Sequence, residues 1–214
     1  GAAPRAEAGD PWPPHGYGYP ERPPREEVVE EVTGDDGALV AAVTRNSYGS
    51  LILNTSDFMF IDVDIPPEPP GGGLLRAIKG LFGKAPDEAE SRTRGRIGAA
   101  AARRPEYTFR LYRTFAGFRC AVVNRRLSAA SPESRRLLEE FDADPLYVRL
   151  CQSQQSYRAR LTPKYWRCGA HRPPARFPWE TEAEEQRYRA WEREYVGLSR
   201  RFATCRLVGQ FGRQ

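Results

Sequence analysis

The run at residues 57–65, DFMFIDVDI, constrains this chain more than any other stretch. It is dense in β-branched and aromatic residues, with Asn54, Thr55 and Ser56 before it and Pro66 and Pro67 after it, so it reads as a short central strand. Side chains alternate across a strand, which sends Met59, Ile61, Val63 and Ile65 into apolar packing. Asp62 and Asp64 then share the other face, about 7 Å apart along the backbone. A strand buried on one side needs neighbours, and the flanking sequence supplies them.

Upstream, ALVAAVT begins near Ala38 and reads as a strand, joined to Leu51–Leu53 by a turn carrying Asn46, Ser47 and Gly49. Downstream, YTFRLYRT and GFRCAVV read as a second hairpin turning at Phe115–Gly117. Helices follow. Ser131 with Pro132 and Asp144 with Pro145 are cap and first-turn signals for SPESRRLLEEF and DPLYVRLCQSQQ. Thr181 and Glu184 form a capping box for a longer helix ending at Gly197, whose Tyr188, Trp191 and Tyr195 share one face as core. A last short strand lies within Ala203–Val208. Strands, then helices, then a returning strand predict an α+β fold, with a mainly antiparallel sheet and helices packed on one face.

A chain of 214 residues suffices for one substantial domain. The 19 Gly and 19 Pro concentrate in two places, which sets the expected boundaries. Residues 1–26 form a Pro-rich arm without a periodic apolar face. Residues 27–214 form the single α+β domain, interrupted by an insertion at about 66–105. That insertion contains the basic amphipathic piece LLRAIKGLFGK, whose pattern suits a membrane surface or docking on its own domain, and an Ala/Arg-rich stretch that reads as helical.

Four dispersed cysteines, Cys120, Cys151, Cys168 and Cys205, do not make a disulfide framework and suit reduced thiols. With no apolar run of about 18 residues to span a membrane and no signal pattern at the start, the expected location is cytoplasmic. Cys168 and His171 make a CxxH pair, with Cys151 as a third zinc ligand, but no fourth ligand stands at a recognisable spacing. Walker, GxSxG and HExxH patterns are absent, and with two histidines in all the chain has little material for His-based acid–base catalysis.

Two carboxylates facing one place repel unless something positive lies between them. A hard divalent cation such as Mg²⁺ or Mn²⁺, held by Asp62 and Asp64, is one resolution; exposure to water or pairing with Arg is the other. Here a resemblance adds content. FMFIDVDIP resembles the hydrophobic-Asp-hydrophobic-Asp motif of the archaeo-eukaryotic primase and primase-polymerase superfamily, in which both acids hold the metals that serve nucleotidyl transfer. YRTFAGFRCAVV resembles the second motif region of that superfamily and follows in the expected order. The resemblance implies catalytic and metal-binding roles for Asp62 and Asp64. Where the family's second motif places a His against the incoming nucleotide, this chain has Arg119. The family's third acid has no clear counterpart, since Asp144 is also a helix cap.

The second constellation is SYRARLTPKYWRCG, where Arg158, Arg160, Lys164 and Arg167 interleave with Tyr157, Tyr165 and Trp166. Strand spacing aligns Arg158 with Arg160 as a phosphate grip, and the aromatic rings offer stacking faces for bases. Arg110, Arg113 and Arg119 extend the same field. The alternative use is a surface loop whose rings cap the core and whose cations pair with the Glu-rich helix after Glu180. Two functions follow as expectations. One is a primase-like nucleotide or nucleic-acid-binding domain, with Arg113, Arg119, Arg158, Arg160 and Lys164 on phosphates and metal-dependent nucleotidyl transfer at the acids. The other is a non-catalytic module binding nucleic acid or a protein partner through the basic aromatic patch.

Overall fold

The computed structural model describes residues 26–66 and 88–212. The Pro-rich arm up to residue 25 and the LLRAIKGLFGK piece lie outside the described residues. The fold is α+β, built on two four-stranded antiparallel sheets. The first has the order β1-β2-β3-β7, with β1 Glu27–Thr33, β2 Leu39–Arg45, β3 Leu51–Thr55 and β7 Tyr157–Arg160. The second has the order β4-β6-β5-β8, with β4 Phe60–Asp64, β6 Gly117–Val122, β5 Phe109–Thr114 and β8 Cys205–Phe211. Helices α1 Glu88–Ala102, α2 Pro132–Glu140, α3 Pro145–Gln154 and α4 Glu182–Ser199 complete it.

The anticipated central strand is β4. Met59, Ile61 and Val63 are buried, and they share one core with Phe109, Leu111, Phe118 and Cys120 of the neighbouring strands. Ile97 of α1, Leu137 and Leu138 of α2, and Tyr147 and Cys151 of α3 close that core. It reaches the other sheet through Tyr157 and Ala159 of β7, so the two sheets share one interior. The aromatic stripe of α4 forms a second, smaller core with Cys168 and Ala170, where Trp191 stacks on Tyr195 at 5.0 Å.

Two features depart from the sequence expectations. Order starts before Ala38, because the acidic strand EVVEEVT pairs with β2 as β1. The strands divide between two sheets. The Ala/Arg-rich stretch of the expected insertion at 66–105 is helical, as read: it is α1, which buries Ala89, Thr93, Ile97, Ala100 and Ala101.

The turn between β2 and β3 depends on Gly49, which sits at φ +75°, where a Cβ would stand 2.1 Å from the Trp191 ring. Gly49→Ala combines a left-handed backbone with a collision against a core tryptophan. Thermal or urea unfolding is expected to show a loss of about 1–3 kcal/mol.

Candidate anion-binding site

Strand register fixes the acid pair. Asp62 lies directly across from Arg119 on β6, and Asp64 across from Gly117. The Arg119 guanidinium donates from Nε to Asp62 Oδ1 and from Nη2 to Asp62 Oδ2, both at 2.6 Å, the two-pronged geometry that suits a carboxylate. Asp62 and Arg119 are mostly buried, with side chains 26% and 13% exposed. Arg119 also lies over the Phe60 ring, 5.7 Å from its centroid. Burial works against the Arg119 charge, but the hydrogen bond and the charge of Asp62 outweigh it, so its pKa rises.

Gly117 has no side chain to offer Asp64, and none would fit, because a Cβ there would stand 2.1 Å from the Val63 carbonyl oxygen. Asp64 is exposed at the strand end. Burial, and then the charges of Asp144 and Asp62, raise its pKa. Asp144 is the N-cap of α3: its carboxylate accepts from Leu146 N at 3.1 Å and Tyr147 N at 3.3 Å, while its own N–H donates to the Asp62 carbonyl at 2.8 Å. The cap reading of Asp144 therefore holds, and it also joins α3 to β4.

The raised pKa of Asp64, from burial first and then from Asp144 and Asp62, has a pH signature. A carboxyl whose pKa is higher in the folded state favours folding fully below its unfolded pKa, and that contribution is lost as pH rises through the folded value. At pH 7 ionised Asp64 thus opposes folding. Asp64→Asn is expected to raise Tm at pH 7, with the gain shrinking as pH falls below the folded pKa toward about 3.9, the unfolded value. Calorimetry across that range measures it.

Taken as ligands, the acids do not fit a metal clamp as they stand. Both oxygens of Asp62 are taken by Arg119, and both of Asp144 serve as cap acceptors. Among the described residues no group of three or more His, Cys, Asp or Glu is arranged to hold a metal ion.

The five basic residues singled out in the sequence divide sharply. Arg113 clips its own hairpin: Nη1 donates to the Gly117 carbonyl at 3.0 Å and Nε pairs with Glu90 at 3.1 Å. Arg119 is committed to Asp62. Arg158 is held by both oxygens of Glu26 at 2.7 Å. The other two, Arg160 and Lys164, have no acid partner among the described residues.

Arg160 ends β7, and its Nη1 is buried without a hydrogen-bond partner. Burial, then the charges of Arg167 and Arg119, pull its pKa down. Lys164 is depressed by burial and by the charges of Arg160 and Arg167. These three cations form a cluster whose members repel one another. The alternative pairing with the Glu-rich helix after Glu180 is not seen among the described residues: α4 sends Glu185 and Glu192 to Arg189, and Glu192 also to Arg45.

Three exposed aromatic rings frame the cluster. Lys164 Nζ lies 5.0 Å from the Trp166 ring centre and 5.7 Å from that of Tyr48, and Arg167 stacks over Phe115 at 3.8 Å. Phe115 is 71% exposed, Trp166 49% and Tyr48 43%. Tyr48 and Phe115 arrive from two hairpin turns, one on each sheet, and the sequence reading missed their contribution. The available signal was a large ring at a turn position, where polar residues are usual.

The loop bearing Lys164 is firmly placed. Tyr195 Oη donates to the Pro163 carbonyl at 2.5 Å, Ser50 Oγ donates to the same carbonyl at 3.0 Å, and Leu51 N donates to Thr162 Oγ1 at 2.8 Å. The repulsive cluster is thus held by β3 and α4, a preorganised arrangement suited to a polyanion.

No family model matches this chain, and neither a curated protein nor a solved structure matches it significantly. Among the described residues no helix is long and apolar enough to cross a membrane.

Proposed function

We propose that this domain binds nucleic acid through the patch formed by Arg160, Lys164 and Arg167 with Tyr48, Phe115 and Trp166. The observation that carries the reading is the gathering of three cations, without acid partners among the described residues, between exposed rings. Three repelling charges without a counter-ion cost stability in the free protein, and a chain of phosphates relieves that repulsion. Exposed rings beside a cationic groove are the usual platform for unstacked bases, so a single strand is the fitting form. The motif resemblance to primase-polymerases supports the same class of ligand.

The reading in which Asp62 and Asp64 hold Mg²⁺ or Mn²⁺ for nucleotidyl transfer asks Asp62 for oxygens that Arg119 already occupies, so binding rather than catalysis is the function preferred here. Fluorescence anisotropy with a labelled oligo-dT tests it. Three phosphate contacts give a slope of roughly −2 for log K against log salt, and Trp166→Ala costs about 1–3 kcal/mol of affinity. Absence of binding at low salt, or an affinity indifferent to salt, would remove the proposal.

A further inference from the structure

We infer that Arg119 is the resident cation of the Asp62–Asp64 pair and excludes divalent metal from it. The inference concerns the acid end of β4 and does not depend on what the aromatic patch binds. Its basis is geometric. Arg119 meets both Asp62 oxygens at 2.6 Å from the directly opposed position on β6, so the ladder itself aims the guanidinium. A metal entering between the acids must displace it, and the displaced group has few places to go.

Arg119 is mostly buried and lies over the Phe60 ring, and its neighbouring cations are themselves occupied or repelled: Arg158 is paired with Glu26, and Arg160 has no acid partner among the described residues. Freeing Arg119 would add a further uncompensated cation to that group. The remaining carboxylate, Asp64, faces Gly117, which has no side chain to add to a ligand set. Asp144 is nearby, but its oxygens hold the first turn of α3. A hard divalent ion gathers several oxygens at once, and of these three acids only Asp64 is free of the Arg119 and cap bonds with which a metal would have to compete.

The test is a Mn²⁺ titration of the full chain, followed by calorimetry and by the Mn²⁺ electron paramagnetic resonance signal, with no nucleic acid present. Wild type is expected to show no site tighter than about 1 mM, at the weak end of protein carboxylate sites. Arg119→Gln, checked for folding by circular dichroism, is expected to gain a site at least about tenfold tighter, and Asp62→Asn in that background to lose it again. Arg119→Lys keeps a charge with a single contact, so it serves as the second variant should the glutamine fail to fold; its Mn²⁺ affinity is expected between the other two. A wild-type Mn²⁺ site well below millimolar that disappears in Asp64→Asn would overturn the inference. So would folded Arg119 variants that bind Mn²⁺ no better than wild type.

Discussion

Arg160→Met is expected to make the protein more stable and a weaker binder of oligonucleotides at once. Arg160 leaves Nη1 buried and without a hydrogen-bond partner among the described residues, and burial together with three other guanidinium groups, Arg167, Arg119 and Arg158, pulls its pKa down. A buried polar group in that condition costs about 1–3 kcal/mol, and methionine removes the penalty while keeping an unbranched chain across from Ile52 of β3. A gain of about 1–2 kcal/mol in urea unfolding is the expected reading. Affinity for oligo-dT should fall about tenfold or more, since a hydrogen bond to a charged group is worth about 1.5–3 kcal/mol.

The opposite signs give this substitution its discriminating power. A cation kept only for packing would destabilise on replacement and leave binding unchanged, whereas a cation kept for a ligand against its own stability does the reverse. Arg158→Met is the matched comparison one turn of the pleat away. Its charge is paired with Glu26, whose two oxygens both accept from Nη2, so its loss should destabilise and should spare most of the binding.

That contrast also shows how far the sequence was legible. Local periodicity was enough to place β4, the β5–β6 hairpin and the two proline-capped helices, because each is specified by residues adjacent in the chain. The acids at Asp62 and Asp64 fell on one face for the same reason. The division of the five basic residues was not legible, because their partners are remote. Glu26 reaches Arg158 across 132 positions, and Asp62 reaches Arg119 across 57.

β1 was missed on similar grounds. EVVEEVT is acidic, almost wholly exposed and without a clean alternation, and much of what holds it comes from elsewhere. Glu27 pairs with Arg45 and Arg189, and Glu26 at its start pairs with Arg158 and accepts from Thr44. Tyr48 and Phe115 each look like solvent-facing turn residues until the fold brings both turns to the Lys164 loop.

The pair at the centre of β4 yields the largest stability effect. Asp62→Ala leaves Arg119 mostly buried and unpaired, a circumstance that costs about 3–5 kcal/mol. The anchor of α3 on β4 is not at stake, because Asp144 N–H bonds the backbone carbonyl of Asp62 and survives the substitution. The loss therefore reports the stranded guanidinium rather than a detached helix. Adding Arg119→Met to Asp62→Leu should recover most of it, to within about 1 kcal/mol of wild type, since replacing both members of a buried ion pair with apolar groups is often neutral or stabilising. Equal losses in the single and double variants would instead mean that the strands need the side chains' shape and not their charge. Recovery would show that the pair is not required for folding.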